Sequence, residues 1–360
     1  MPAVPFNSLI VVTGISGYIG SHVGLAALTA GHHVRGTVRS LARAEEVKAA
    51  YAKQGADISR LEFALVDDLT SEVQLSAAFK GAAGIANLAI PGSLTADSNI
   101  EPQQVIDAAI ALLRVAAQEP SIQRVVFTSS STAAFARPGF IDRPLNGSDW
   151  NEEAQRRYEE ADEETKKIPF KWAAIKYHYS KYASEKAAWK WIAEHKPTFD
   201  FVSLIPNNNF GPLLLGDVHS SALWLYSLMK NETSIFKILF PRKSLVPAVF
   251  TSFEDYVNIN NSTAEWFIDT RDTGRLHVLA LTTPSVGGKR FWAVASPYGW
   301  NQVLTILRRT YPESTFPENL PEENGGVDTQ EIDNSIATEL LGGWIGLEKS
   351  IIDTTKTFPQ

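Results

Sequence analysis

Leu9-Ile10-Val11-Val12-Thr13-Gly14-Ile15-Ser16-Gly17-Tyr18-Ile19-Gly20 is the stretch that decides the fold. A short β-rich run breaks at Thr13-Gly14, and a helical pattern begins at Gly17 and continues to Thr29. Between them lies TGxxGxxG. Gly14 permits a tight turn out of the strand, Gly17 lets backbone N–H groups approach a pyrophosphate, and Gly20 lets the helix pack closely on the strand. The partial positive charge of the helix N-terminus then faces the phosphates. Three spaced glycines alone are a weak signal; a strand before them and a helix after them make a strong one. The loop predicts a dinucleotide site built from Thr13, Gly14, Gly17, Tyr18, Ile19 and Gly20.

Outward from this loop the same rhythm repeats. Strands are expected at Ser8–Val12, His33–Val38, Leu61–Val66, Gly84–Ala89 and Arg124–Thr128, with helices at Gly17–Thr29, Ala42–Lys53, Glu72–Phe79 and Gln103–Gln118. Alternating strands and helices at this spacing imply parallel strands with right-handed crossovers, a Rossmann-type doubly wound α/β sheet that binds ligands at the carboxyl ends of its strands. Pro138–Lys171 is rich in charge and reads as a solvated insertion. A long helix is expected from Trp172 to His195 and a sixth strand at Phe201–Ile205. Past Pro206 the rhythm weakens, with helices expected at Pro212–Lys230, Trp300–Thr310 and Asp328–Leu341. The expected division is a nucleotide-binding domain over 1–205, with part of 246–283 returning to it, and a smaller C-terminal substrate-binding lobe over 206–245 and 284–360.

Composition narrows the function. The 360 residues carry a formal charge of −7, which argues against a nucleic-acid binder. There is no cysteine, hence no disulfide, thiolate metal site or Cys nucleophile. No apolar run approaches membrane-spanning length and no secretory leader pattern opens the chain, so a cytoplasmic protein without a membrane partner is expected. His32-His33 has no acid or third histidine spaced to complete a metal site.

The second strand bears on which dinucleotide is bound. It ends Gly36-Thr37-Val38-Arg39-Ser40, without the acid that would take a ribose 2′-hydroxyl. Arg39 stands where a guanidinium pairs with a 2′-phosphate, assisted by Ser40 and Arg43, unless it is merely a solvated strand-end residue. The cofactor expected is therefore NADP(H). Asp68 and Leu69 follow the third strand, where Asp68 is placed to accept from the adenine amino group, and Leu88-Ala89 ends the fourth beside the cofactor.

Tyr177 and Lys181, spaced i, i+4 in the long helix, share a face, and an ammonium beside a phenol favours the phenolate. Tyr182 and Lys186 have the same spacing, about 140° around the helix, so spacing alone leaves both pairs open. Thr128-Ser129-Ser130-Ser131-Thr132 is a hydroxyl cluster at the end of the fifth strand, able to donate to a substrate carbonyl or simply to satisfy local backbone groups. Phe135, Trp172, Phe210, Trp224 and Tyr226 are candidates for a pocket or for plain core.

Five segments together resemble the extended short-chain dehydrogenases/reductases, and within them the branch of plant dihydroflavonol 4-reductases and yeast NADPH-dependent aldehyde/ketone reductases. They are Val12 through Gly20, Val34 through Ser40, Val126-Phe127-Thr128-Ser129-Ser130, Tyr177 through Lys190, and Ile205-Pro206-Asn207. Trp300-Asn301 and Tyr311-Pro312 also look like the yeast reductases, so the resemblance covers nearly the whole chain. It implies Ser130, Tyr177 and Lys181 as catalytic residues, Arg39 as the 2′-phosphate ligand, and Pro206 and Asn209 beside the nicotinamide, with Phe135, Asn208, Phe210 and Trp224 toward substrate. The implied reaction is NADPH-dependent reduction of an aldehyde or ketone to an alcohol. The implied partner is a small-molecule carbonyl compound, and the protein a monomer or homodimer.

The polar Asn207-Asn208-Asn209-Phe210, the apolar run Ala133-Ala134-Phe135 and the altered Phe250–Asp255 depart from the flavonoid reductases. They point to a different bulky or aromatic carbonyl compound, in secondary metabolism. An epimerase, dehydratase or isomerase with a tightly bound nicotinamide cofactor is the alternative, and a cofactor-sensing regulator without turnover is a third reading.

Overall fold

Strands whose residues are apolar on both faces belong in the middle of a parallel sheet. The runs Ile10–Val12, Ile85–Ala86 and Val125–Phe127 lie there, almost wholly buried. The computed structural model describes residues 3–91, 101–136, 141–230 and 264–359. Its central sheet has seven parallel strands in the order β3-β2-β1-β4-β5-β6-β9. They are β1 (Leu9–Thr13), β2 (His33–Val38), β3 (Leu61–Leu65), β4 (Gly84–Asn87), β5 (Arg124–Thr128), β6 (Asp200–Pro206) and β9 (Arg290–Ala293). The crossover helices are α1 (Tyr18–Thr29), α2 (Leu41–Lys53), α3 (Glu72–Phe79), α4 (Pro102–Gln118) and α8 (Pro169–His195). Among them α4 and α8 share one apolar layer, through Leu112, Leu113, Ala188 and Trp191.

Between β5 and α8 run α5 (Ser131–Ala134), α6 (Glu152–Glu159) and α7 (Glu163–Lys166). This insertion is more than a solvated face. Ala154 and Trp150 pack on Tyr182, and the Tyr158 ring stacks on Tyr179 at 4.3 Å and on Trp172 at 5.3 Å.

A second, three-stranded sheet has the order β10-β8-β7, formed by β7 (Asn208–Phe210), β8 (Ala264–Asp269) and β10 (Ser296–Gly299). Around it lie α9 (Ala222–Met229), α11 (Trp300–Thr310) and α14 (Leu347–Thr355), with a core of Phe210, Phe267, Tyr298, Trp300 and Leu304. The helix α10 (Thr270–Thr282) returns to pack beside α1 against the central sheet. Two short helices, α12 (Glu322–Gly325) and α13 (Ser335–Leu341), complete the described chain.

Three differences from expectation have local causes. The seventh central strand is Arg290–Ala293, in the stretch assigned above to the smaller lobe; Phe291 and Trp292 are buried there beside β6. The expected helix over 212–230 is only Ala222–Met229, because 211–221 is held as a loop against α1. The expected helix over 328–341 is only Ser335–Leu341. Gln330, almost fully buried, donates to the carbonyls of Ile141 and Arg143, and Ile332 bridges Leu145. Residues 246–263, and with them Phe250–Asp255, lie outside the described residues, as do 138–140. Among the described residues no helix is long and apolar enough to cross a membrane.

Candidate active site

The glycine loop is built by backbone necessity. Gly14 sits at φ +67°, a left-handed conformation that disfavours any side chain. Its carbonyl accepts from the Gly17 N–H at 2.9 Å. A Cβ on Gly20 would fall 2.1 Å from that same carbonyl oxygen, so only glycine permits this closeness of α1 to the loop. Gly17 is the N-cap of α1 and offers no side-chain cap, which leaves first-turn N–H groups, those of Tyr18 and Ile19 among them, to an outside acceptor. The loop is braced in part by Thr37 and Asn87, which the sequence reading did not single out. Gly14 N–H donates to Thr37 Oγ1 at 3.0 Å. Thr13 Oγ1 donates to Asn87 Oδ1 at 2.9 Å and accepts from the N–H groups of Leu88 and Ala89 at 2.9 and 3.0 Å. Thr13 is therefore a clamp that holds the ends of β1 and β4 together.

Arg39 is exposed and makes no ion pair or hydrogen bond among the described residues. Ser40 caps α2, accepting from the Arg43 N–H at 3.4 Å. Arg43 pairs with Glu46 on its own helix and with Asp217 from the loop after β7. Asp68 Oδ1 accepts from the N–H and hydroxyl of Thr70 at 2.8 and 2.7 Å, bonds that hold the carboxyl below its usual range and leave its second oxygen outward. Leu69 and Ala89 line one cleft with Asn87, Val105 and Phe127.

The carboxyl end of β5 meets α8. Ser130 caps α5, and its Oγ accepts from the N–H and hydroxyl of Thr132 at 3.3 and 3.0 Å. Its own proton is thereby left free to donate, and Ser130 lies close enough to the Tyr177 phenol to act on its titration. One helical turn on, Lys181 Nζ donates to the Thr128 carbonyl at 2.8 Å.

The electrostatics differ from the simple lysine–phenol expectation. Burial dominates both groups. It pushes the Tyr177 phenol up, against a smaller opposing effect of the neighbouring Ser130. It brings Lys181 down to about 8, with the Glu185 carboxylate pulling the other way. The ammonium is directed at Thr128, so it does not itself depress the phenol here.

Tyr182 and Lys186 face elsewhere. The Tyr182 hydroxyl donates to Glu152, Lys186 pairs with the same carboxylate at 2.8 Å, and its ammonium lies 4.9 Å from the Trp150 ring centre. This second pair is consumed in fastening α6 to α8. His178 lies next to Tyr177, its pKa brought down to about 4 chiefly by burial and secondarily by Arg157.

Two supports of the site lie far off in sequence. Glu185, fully buried, accepts from Ser129 Oγ at 2.5 Å and from Arg290 Nε and Nη2 at 2.9 and 3.0 Å. Arg290 also donates to the carbonyls of Gly147 and Asp149 and lies 3.7 Å from the Trp150 ring centre. On the other side of β5, Thr128 Oγ1 donates to His277 Nε2 at 2.8 Å, while His277 Nδ1 donates to the Thr273 carbonyl at 2.7 Å. Burial brings His277 down to about 4, which keeps it neutral and able to accept. The only hint in the sequence was Glu185, four residues past Lys181; His277 and Arg290 gave none.

The residues after β6 are mostly committed to the framework. Pro206 ends β6 and is buried. The Asn209 amide donates to the Asn207 carbonyl at 2.8 Å and accepts from Thr273 Oγ1 at 2.7 Å. Asn208 donates to Tyr298 Oη at 2.6 Å and to Glu265. Phe210 is fully enclosed, edge-on to Tyr298 at 5.5 Å, which is a core position rather than a pocket wall and corrects its assignment toward substrate. Phe135 and Trp224 are only partly buried, beside the Ile205–Trp292 cluster and the smaller-lobe core respectively.

With this geometry in view, the comparisons are specific. Residues 10–295 match the NAD dependent epimerase/dehydratase family. Aldehyde reductase 2 of Sporidiobolus salmonicolor is 30% identical over 358 residues, 97% of this chain and 96% of its own length. Ketoreductase adrE of Penicillium roqueforti is 29% identical with the same coverage. The structure of yeast methylglyoxal/isovaleraldehyde reductase Gre2 complexed with NADPH superposes with a TM-score of 0.74 over 97% of both chains, at 22% identity.

Proposed function

The chain belongs to the NAD dependent epimerase/dehydratase family, on its reductase branch, and on that premise we propose how it reduces an aldehyde or ketone with NADPH. The residues present fit the cofactor. A cradle closed to any Cβ at Gly20, uncapped N–H groups at the start of α1 and an Arg39 unpaired among the described residues suit a pyrophosphate and a 2′-phosphate. Gly14, Gly17, Tyr18 and Ile19 would border the former and Arg39 the latter. Asp68, Leu69, Leu88 and Ala89 would flank the adenosine, with Pro206 toward the nicotinamide. Thr13 and Asn209 serve by holding the backbone in place.

When bound, NADPH supplies the hydride for the carbonyl carbon. Ser130 donates a hydrogen bond to the carbonyl oxygen, and Tyr177 gives that oxygen its proton. Lys181, one turn away and anchored on Thr128, would hold the nicotinamide ribose of the cofactor. Hydride on carbon and proton on oxygen make the alcohol. The observation that carries this assignment is the meeting of Ser130 and Tyr177 where the end of β5 faces α8, with Lys181 anchored on Thr128. The substrate is a small carbonyl compound, which we read as bulky or aromatic and bordered by Phe135 and Trp224. The division of labour follows the fold: the central sheet carries cofactor and catalytic residues, and the smaller lobe covers the substrate.

The test is NADPH consumption, with NADH in parallel, over aliphatic, aromatic and diketone substrates, for wild type, Tyr177→Phe and Tyr182→Phe. NADPH-dependent turnover should fall about 10²- to 10⁴-fold in Tyr177→Phe and survive in Tyr182→Phe. Survival in Tyr177→Phe would undo the assignment. Tightly held nicotinamide with no oxidation of added NADPH would point to the epimerase or dehydratase chemistry instead.

A further inference from the structure

The loop joining β7 to α9 packs against the N-terminal half of the cofactor helix. At its start the Tyr18 hydroxyl donates to the Gly211 carbonyl at 2.6 Å and His22 Nε2 donates to the Pro212 carbonyl at 2.9 Å. The His219 ring stands edge-on to Tyr18, with ring centres 6.1 Å apart. Between these anchors the chain swings out, and the Asp217 carboxylate takes the guanidinium of Arg43. Arg43 lies in the first turn of α2, four residues after Arg39. The start of α2 and the residues just before it therefore carry two arginines in opposite states, Arg39 without a partner among the described residues and Arg43 held by a carboxylate from the loop after β7.

We propose that Asp217 is a specificity-determining residue that competes with the cofactor 2′-phosphate for Arg43. This rests on the NADP(H) reading above. The Arg43 guanidinium is shared, with Nη1 donating to Glu46 and Nη2 to Asp217. Glu46 is a neighbour on the same helix and can stay in place. Asp217 reaches in from another element, 174 residues away, and must yield or share if Arg43 is to meet a phosphate. Its negative charge also opposes the phosphate directly. An unphosphorylated dinucleotide makes neither demand. Asp217 thus weakens the hold on NADP(H) selectively and favours its release after turnover, while its pairing with Arg43 closes the loop over α1 when no phosphate is there.

The experiment titrates wild type, Asp217→Asn, Asp217→Glu, Arg43→Ala and the Asp217→Asn/Arg43→Ala double variant with NADP⁺ and NAD⁺, followed by tryptophan fluorescence and calorimetry. An exposed ion pair and one like-charge repulsion are together worth about a 3- to 10-fold change. Asp217→Asn should tighten NADP⁺ by that factor and slow its release in stopped flow, leaving NAD⁺ within about twofold. Asp217→Glu should keep the wild-type ratio, and on the Arg43→Ala background Asp217→Asn should tighten NADP⁺ clearly less than on wild type, because only the direct repulsion is left to remove. Equal tightening of both nucleotides would mean the loop merely obstructs entry, and would overturn the proposal; so would no change in either. A wild type that itself prefers NAD⁺ would overturn the NADP(H) reading and this inference with it, and that outcome is visible before any variant is made.

Discussion

Removing Glu185 should cost stability by an amount the structure lets one work out. Its carboxylate is fully buried, and Arg290, 6% exposed, spends two of its donors on it. In Glu185→Leu that guanidinium is left charged and buried with half its partners. Breaking a buried pair this way costs about 3–5 kcal/mol. Arg290 keeps the Gly147 and Asp149 carbonyls at 3.0 and 2.6 Å and its place over Trp150, so the low end applies. At about 2.1 cal/mol/K per residue, 360 residues unfold with an entropy near ~0.76 kcal/mol/K. A loss of about 3 kcal/mol therefore lowers Tm by about 4 °C. Calorimetry on Glu185→Leu, Arg290→Met and the double variant reads this directly. The double variant replaces the ion pair by apolar groups and should recover most of the loss, because no charge is stranded. Unchanged Tm in both single variants, or a double variant as unstable as the two losses added, would refute the reasoning. The same carboxylate opposes the burial effect on Lys181, so Glu185→Leu should also move the lysine's titration further below its position near 8.

Two further outcomes follow from the site. Burial holds Lys181 at about 8 against an ordinary 10.5, so the folded protein sheds this proton before the unfolded chain does. Lys181 accordingly subtracts stability below about pH 8, and the penalty is relieved as pH rises from there to 10.5. Specificity-constant profiles for NADPH, which report ionisations of the free enzyme, should then fall above about pH 8; Lys181→Arg should remove that limb, and a limb that persists in Lys181→Arg belongs to another group. Gly20→Ala puts a methyl 2.1 Å from the Gly14 carbonyl oxygen. The backbone must give at a strain of about 1–3 kcal/mol, so NADPH should bind about tenfold weaker or worse, and wild-type affinity in a fluorescence titration would contradict the close approach.

What was legible in the sequence and what was not divide along a physical line. The strands β1, β4 and β5 are mainly apolar runs that a buried sheet accommodates, β2, β3 and β6 repeat their rhythm, and the glycine loop is a local backbone constraint; all are written in neighbouring residues. The short strands β8, β9 and β10 are not. Their six, four and four residues include charged, polar and proline positions, and they exist because a partner strand is present. Helical periodicity offered two tyrosine–lysine faces and no means of choosing between them. The family resemblance chose Tyr177 and Lys181, and across the fold Lys181 finds Thr128 while Tyr182 finds Glu152. Aromatic character likewise could not separate the enclosed Phe210 from the partly exposed Phe135.

The least legible residues are those that make the site electrostatically possible. A lysine and a tyrosine taken out of water at the end of a sheet need polar company, or the lysine gives up its charge. That company is Glu185 with Arg290, separated by 105 residues, and Thr128 with His277, separated by 149. None carries a motif, because each is specified by what it must compensate rather than by the bond it makes or breaks. Their defining feature is a buried charge or hydroxyl matched to a distant partner, and that can be recognised only after the chain is folded. By the same argument a variant at Glu185 or His277 should disturb the titration of Lys181 or the placement of Thr128 without touching any reacting atom. Pairing Glu185→Leu with Arg290→Met should restore stability while leaving the Lys181 titration displaced, since the apolar pair relieves the stranded charge and returns no negative charge to the lysine.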